Sequence, residues 1–141
     1  MSWAALITWI VTAAGGFVLL AIWIREGGMK PSEDNPRIRP PLILGHFALA
    51  ATGLVLWIVY VAAGGSALAW IAFCLLLVVA VLGFTMFGIW ESRRRGRGPG
   101  VAAARPVGPA EQRFPVPVVT LHGLLAATTL VLVFLAAVGV G

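Results

Sequence analysis

Four long apolar runs, separated by short polar or basic segments, organise this chain of 141 residues. The runs cover residues 3–24, 42–63, 67–90 and 116–138, and none of them contains Asp, Glu, Lys or Arg. A hydrocarbon layer about 30 Å thick needs about 20 mostly apolar residues per helix, so each run predicts one membrane-spanning helix. A mean hydropathy of +0.99 and a charged fraction of 11% also exclude a water-soluble globule. We therefore predict an all-α membrane protein with one domain, a four-helix transmembrane bundle covering residues 1–141.

The positive charges indicate how the bundle is oriented. All ten basic residues fall in two loops, 25–41 and 91–115, whereas the turn at 64–66 is the uncharged Gly-Gly-Ser. Because basic loops stay in the cytoplasm, both loops are predicted there and both termini outside, in the inner membrane of a bacterium. Basic loops beside a membrane also favour anionic lipid heads, so the arginine-rich segment 91–100 does not require a nucleic-acid partner.

The two halves of the chain resemble each other. Residues 46–56, HFALAATGLVL, match residues 122–132, HGLLAATTLVL, at eight of eleven positions, which include the histidine and a threonine. The first and third runs agree as well, since residues 16–23 and 83–90 share Gly, Phe, Ile and Trp in register. We interpret the chain as two tandem, parallel two-helix repeats around a pseudo-two-fold axis along the membrane normal.

His46 and His122 stand inside apolar runs, where an ionisable side chain is costly and marks a functional site by default. Each lies five residues after a proline, Pro41 or Pro117, so both are predicted at equal depth, roughly 7 to 8 Å from the cytoplasmic ends. A structural zinc site needs four protein ligands, but the runs contain no carboxylate and Cys74 is predicted near the opposite face. Two neutral imidazoles suffice for an iron whose other ligands come from a porphyrin. The hypothesis is haem b with His46 and His122 as its metal ligands.

Small and basic residues complete the predicted cofactor site. Glycines beside the histidines and on the other two helices leave space for a flat macrocycle, although such residues also serve as ordinary helix contacts. Arginines at the cytoplasmic ends are available to pair with the haem propionates. The predicted contacts are Gly16, Gly45, Gly83, Gly123, Arg37, Arg39 and Arg113.

In its four-helix plan and its paired histidines, His46 and His122, the chain resembles membrane-bound b-type cytochromes of the cytochrome b561-like kind. The resemblance implies haem held between helices and single-electron transfer with a redox partner. Those cytochromes typically carry two haems, whereas this sequence has no second histidine pair, which leaves one centre near the cytoplasmic face. The excess of Arg over Lys and the abundance of Ala, Val and Gly are typical of a GC-rich bacterium such as an actinobacterium.

Other interpretations stay open. The histidines can instead bond to backbone carbonyls or to Thr52, Thr120 or Thr128, in a non-catalytic accessory or assembly subunit of a larger membrane complex or in a homo-oligomer. A small transporter or proton relay is disfavoured, because all five acidic residues lie outside the apolar runs. No nucleophile and base pair can be assembled, so no catalytic residue is assigned.

Overall fold

The computed structural model describes residues 1–30, 38–96 and 109–140. Over these ranges the chain forms four long helices and one short 3-10 helix, without a strand. The long helices are α1 (Ser2–Arg25), α2 (Pro40–Ala63), α3 (Ser66–Arg95) and α4 (Val116–Ala137), and the 3-10 helix is Ala110–Arg113. All four long helices are long and apolar enough to cross a membrane. The predicted all-α class and the four predicted spans are therefore confirmed.

Proline and glycine mark the helix ends. Prolines lie in the first turns of α2 and α4. Backbone N–H groups in a first turn have no acceptor within the helix, so the N–H that proline lacks costs no helical hydrogen bond. Gly64 and Gly65 form the tight turn between α2 and α3 with φ angles of 78° and 99°, a region that favours glycine. We call this end of the bundle the turn end, and the opposite end, where the basic residues lie, the arginine end.

Helix α3 extends further than the sequence predicted. It continues to Arg95, past the predicted end at residue 90, so the loop predicted at 91–115 begins later. The Glu91 carboxylate accepts hydrogen bonds from Arg94 Nε at 2.7 Å and from Arg95 Nε at 2.6 Å, about one helical turn further along α3. Ion pairs at this spacing stabilise an exposed helix. Arginines in the last turn also interact favourably with the negative end of the helix dipole. The same loop contains the short 3-10 helix.

The four helices form two layers. The most extensive packing joins α1 to α4 and α2 to α3, whereas α1 packs less on α2, and α3 less on α4. The diagonal pairs, α1 with α3 and α2 with α4, make no close backbone contact. The bundle therefore consists of an α1–α4 layer facing an α2–α3 layer. The chain passes from one layer to the other between α1 and α2 and again between α3 and α4.

A core of buried aromatic and small residues joins the two layers at the turn end. Trp9 and Trp57 are buried with ring centroids 6.4 Å apart, and Trp57 Nε1 donates to the carbonyl of Ser2 at 3.3 Å. Gly53 lies under Trp9, because an added Cβ would be 3.0 Å from the indole Cζ2. The layers are consequently in direct contact at this end.

Packing is different in the other half of the bundle. A second group of buried residues closes the arginine end; its members are Trp23, Ile38, Trp90, Ala110 and Glu111. Between this group and the aromatic core, no residue in 13–22, 40–52, 80–89 or 116–128 is fully buried. Ten helical residues rise about 15 Å, so a stretch of about that length without a fully buried residue separates the two buried groups. We call it the middle stretch.

Candidate cofactor site

His46 and His122 meet in the middle stretch of the bundle. His46 is the sixth residue after Pro40, where α2 begins, and His122 is the sixth after Val116, where α4 begins. The centroids of the two imidazoles are 6.4 Å apart, with the ring planes at 62°. His46 and His122 are therefore neighbours, although they are far apart in the sequence and lie on diagonal helices. Each is equally far from the start of its helix.

Each imidazole is held by a backbone carbonyl of its own layer. His46 Nδ1 donates to the carbonyl of Val79 on α3, and His122 Nδ1 donates to the carbonyl of Thr12 on α1, both at 3.0 Å. A carbonyl oxygen only accepts, so Nδ1 carries the proton in each ring. In a neutral imidazole the lone pair is then on Nε2, which is the tautomer that binds a metal through Nε2.

Gly16 and Gly83 lie directly against the two rings. An added Cβ at Gly16 would be 3.2 Å from His122 Cε1, and one at Gly83 would be 3.3 Å from His46 Cε1. Both distances are tighter than ordinary van der Waals contact. The space that these glycines leave is thus occupied by the imidazoles, and a side chain at either position would push on a ring.

The other predicted contacts lie further from the rings or outside the described residues. Apart from its chain neighbours and the adjacent backbone of its own helix, a Cβ added at Gly45 or Gly123 would meet no atom within 4 Å. Arg39 is exposed just before α2, and Arg113 forms an ion pair with Glu26 at 3.2 Å. Arg37 lies outside the described residues. The structure therefore brings the histidines together with Gly16 and Gly83, and it leaves the described arginines at the arginine end.

Two of the three threonine hydroxyls considered as histidine partners, those of Thr52 and Thr128, bond within their own helices, and no bond from Thr120 to either imidazole is found. Thr52 donates to the carbonyl of Ala48 at 2.9 Å and Thr128 donates to that of Leu124 at 3.0 Å, each within its own helix. Thr12 is different, because its hydroxyl donates to the carbonyl of Thr8 at 2.7 Å while its own carbonyl receives the bond from an imidazole. The histidine partners are therefore backbone groups.

The arginine end contains a buried carboxylate, Glu111, that the sequence did not predict. Glu111 is 0% exposed; its Oε1 accepts the Ile38 N–H at 3.0 Å and an Arg93 Nη1–H at 2.9 Å. Its Oε2 has no partner among the described residues. Glu111 thereby links the 3-10 helix, the start of α2 and the end of α3. Its place in a Gly-, Ala- and Pro-rich loop carries no pattern that signals burial.

The donor set limits the metals that the protein alone can hold. Within residues 1–30, 38–96 and 109–140, no group of three or more His, Cys, Asp or Glu side chains is placed to bind a metal ion. A metal at the histidine pair must therefore take its remaining ligands from another molecule.

Together the fold and the site define a class: a four-helix bundle of membrane-spanning dimensions with a pair of imidazoles between its two layers. Comparisons with protein-family models, curated proteins and solved structures found no match. The function is consequently inferred from the geometry of the bundle.

Proposed function

We propose that this chain is a b-type cytochrome that holds one haem b between His46 and His122 and passes single electrons near the cytoplasmic face. The distance between the rings carries the proposal. An imidazole nitrogen binds a transition metal at about 2.0 Å and lies about 1 Å from its ring centroid. A metal bound by two imidazoles on opposite sides therefore separates the two ring centroids by about 6 Å. The observed separation is 6.4 Å.

The hydrogen bonds at Nδ1 support the same function. Histidines that bind metals almost always donate their other ring N–H to a carbonyl or carboxylate, which fixes the tautomer and raises the basicity of the ligand. His46 and His122 both have such a bond, to Val79 and Thr12. Two neutral imidazoles with available Nε2 lone pairs would hold the iron of a haem b, and the haem would supply one-electron redox chemistry.

The two candidate ligands come from different layers. His122 belongs to the α1–α4 layer and His46 to the α2–α3 layer, so a metal held by both would join the two layers. The helix residues around the rings, none of which is fully buried, would surround the porphyrin. Their apolar side chains and the two imidazoles would tune the haem potential.

The haem propionates would point to the arginine end. Arg39 and Arg113 lie there among the described residues, and Arg93 lies there as the partner of Glu111. Arg37, outside the described residues, belongs to the same loop in the sequence. Charge-assisted pairing with these guanidinium groups would offset the negative charge of the propionates.

We infer that the chain consists of two duplicated hairpins. The hairpins are α1–α2 and α3–α4. In the first, Thr12 precedes Gly16 by four residues, and both contact His122 of the second. In the second, Val79 precedes Gly83 by four residues, and both contact His46 of the first. The packing of α1 on α4 corresponds in the same way to that of α3 on α2. Parallel repeats around an axis along the membrane normal account for this symmetry.

The orientation that we propose has both basic loops in the cytoplasm of a bacterium and both termini outside. Lys30, Arg39 and the arginines that end α1 and α3 all lie at the arginine end, while the turn end has no charged side chain within residues 40–90. That distribution is typical of an inner-membrane protein with a cytoplasmic arginine end. The haem would then lie in the cytoplasmic half of the bilayer.

The visible spectrum of the detergent-purified protein tests the function. The wild-type protein, purified after growth with added haem, is expected to show a sharp α-band on reduction with dithionite. His46→Ala and His122→Ala should each abolish that low-spin spectrum. Thr128→Ala is the matched control, because its hydroxyl bonds only within its own helix, and its spectrum should equal the wild type. A colourless but fully helical wild-type protein after haem supplementation would disprove the cytochrome.

A second function is favoured by one observation. Both imidazoles already join two helices through their carbonyl bonds, α2 to α3 and α4 to α1, which is an ordinary way of holding membrane helices together. In that case the chain is a non-catalytic accessory or assembly subunit of a larger membrane complex. It would purify without pigment and with other subunits, and His46→Ala would weaken the bundle without changing any spectrum.

A further inference from the structure

We infer that the arginine end binds the head group of one anionic phospholipid, between the end of α1 and the start of α2. Arg25, Lys30 and Arg39 are the cationic partners of its phosphate. The site follows from which basic side chains the fold leaves without an acidic partner, and it does not depend on the binding of haem.

The longest run of arginines in the sequence is already paired with carboxylates. Arg93 forms an ion pair with the buried Glu111 at 2.9 Å. Arg94 and Arg95 both pair with Glu91, at 2.7 and 2.6 Å. The positive charge on the α3 side of the arginine end is therefore partly compensated within the protein.

The basic residues beside α1 and α2 have no such partner. Arg25, Lys30 and Arg39 are exposed, and within residues 1–30, 38–96 and 109–140 no ion pair to any of them is found. Glu26 is the acidic neighbour of Arg25, but its carboxylate is paired with Arg113 at 3.2 Å. Three cations without a counter-charge among the described residues thus lie on the α1–α2 side.

The 3-10 helix holds the end of α1 and the start of α2 side by side. Glu111 accepts the N–H of Ile38 at 3.0 Å, and Arg113, two residues further along the same short helix, pairs with Glu26. The sequence neighbours of Ile38 and Glu26 are two of the three unpaired cations. Those two cations therefore lie along one edge of the bundle.

A tight turn after α1 brings Lys30 to the same edge. Its N–H donates to the carbonyl of Gly27 at 3.0 Å, and its Cδ would be 3.5 Å from a Cβ added at that glycine. Gly28 lies directly on the indole of Trp23 and leaves no room for a side chain there. The turn is thus folded back on α1, and the stem of Lys30 packs two residues from Arg25.

An apolar surface continues from these cations toward the middle of the bilayer. Phe17 on α1 and Phe47 on α2 are in contact, with ring centroids 5.4 Å apart, and they are 56% and 37% exposed. Each lies eight residues from an unpaired cation, Arg25 or Arg39, so the pair is roughly 12 Å deeper along the helices. Half of the hydrocarbon layer is about 15 Å thick, so an acyl chain that follows α1 and α2 would cross this pair.

The combination of charge and depth favours a phospholipid. Guanidinium groups form bidentate, charge-assisted hydrogen bonds with phosphate, and an ammonium group adds a point charge. Each Lys or Arg near the membrane surface raises the affinity for anionic lipid by about fivefold. A soluble anion would use the cations but not the exposed aromatic pair below them.

Lipid titration of the full-length protein tests the site. The detergent-purified protein is titrated with phosphatidylglycerol, which is anionic, or with phosphatidylcholine, which is neutral overall, and native mass spectrometry counts the bound lipids. The wild type should bind phosphatidylglycerol more tightly. Arg25→Gln combined with Lys30→Gln should weaken that binding about 25-fold, at fivefold for each cation. Arg39 is left unchanged, because it is also a candidate partner of the haem propionates.

Two further variants make the result specific. Arg94→Gln combined with Arg95→Gln removes the same charge from the α3 side and should weaken binding by less than about fivefold. Arg25→Lys combined with Lys30→Arg keeps both charges and should bind within about twofold of the wild type. Circular dichroism confirms that each variant is helical. Equal losses in the two Gln variants would mean that the whole arginine end attracts lipid, and would overturn the site.

A photoactivatable lipid tests the path of the acyl chain. Phosphatidylglycerol with a diazirine in the middle of one chain, in nanodiscs, should label the peptides around Phe17 and Phe47. Phe84 is the internal control, since it follows Gly83 as Phe17 follows Gly16 and is 72% exposed. Equal labelling around Phe84, or equal affinity of the wild type for the two lipids, would disprove the site. A lipid-free dimer in the mass spectrum would assign this edge to a second copy of the chain instead.

Discussion

The imidazole of His122 lies against the backbone of Gly16, with 3.2 Å between its Cε1 and a Cβ added at that glycine. The carbonyl of Thr12 accepts a hydrogen bond from the ring on one side. On another side the ring occupies the space that Gly16 leaves by having no side chain. His46 and Gly83 repeat this relationship at 3.3 Å. Both histidines are positioned by a neighbouring helix before any ligand binds, which lowers the cost of orienting them.

Side chains at Gly16 and Gly83 should weaken haem binding. Gly16→Val or Gly83→Val would push an imidazole away from the other ring, and loss of such supporting contacts typically reduces metal affinity about 10- to 100-fold. Haem titration followed at the Soret band measures the effect. Gly45→Val is the matched control, since its Cβ meets no atom within 4 Å. Equal losses in all three variants would mean that the glycines serve the helices rather than the rings.

The buried carboxylate should stabilise the arginine end. Glu111→Gln removes the charge that faces Arg93 and accepts the Ile38 N–H, so the free energy of unfolding should fall by about 1–3 kcal/mol. Denaturant unfolding of the protein in detergent, monitored by circular dichroism, measures the change. Glu91→Gln, which removes an acid from an exposed ion pair, should have a smaller effect. An equal or larger loss in Glu91→Gln would contradict the importance assigned to Glu111.

Trp9 and Gly53 should be energetically coupled. Gly53→Ala places a methyl group 3.0 Å from the Trp9 indole, and overpacking of this kind costs about 1–3 kcal/mol. Trp9→Phe shortens the ring and should relieve part of that cost in the double variant. A double-mutant cycle from unfolding free energies measures the coupling. Additive effects of the two substitutions would show that the ring does not press on position 53.

The orientation of the bundle can be read from reporter fusions. Alkaline phosphatase, which is active only outside the cytoplasm, should be active when joined after Val140 and inactive when joined after Gly96. Green fluorescent protein at the same two positions should give the reverse pattern. Because the basic loops determine orientation, replacing Arg93, Arg94 and Arg95 by Ser should weaken the difference between the two sites. Activity of the phosphatase after Gly96 in the wild type would reverse the proposed topology.

Much of the fold was predictable, because the length of the apolar runs and the polarity of the segments between them determine where the helices form. A run of about 20 apolar residues between polar segments has one stable form in a membrane, a helix, so four helices followed directly from the pattern. The equal distance of the two histidines from the starts of their helices followed as well, since it depends only on position along the sequence. The end of α3 did not, because the pairing of Glu91 with Arg94 and Arg95 extends it beyond the apolar run.

The sequence by itself thus determined the number of helices, the equal distance of His46 and His122 from their helix starts, and the residues shared by the two halves. Only the tertiary structure decided that α1 packs mainly on α4, that Val79 and Thr12 hold the rings, and that Glu111 is buried. The physical reason is that these helices are apolar on every face, so no stripe marks the side that turns inward. Rotation about each helix axis is decided by contacts between residues far apart in the chain, such as Gly16 against His122.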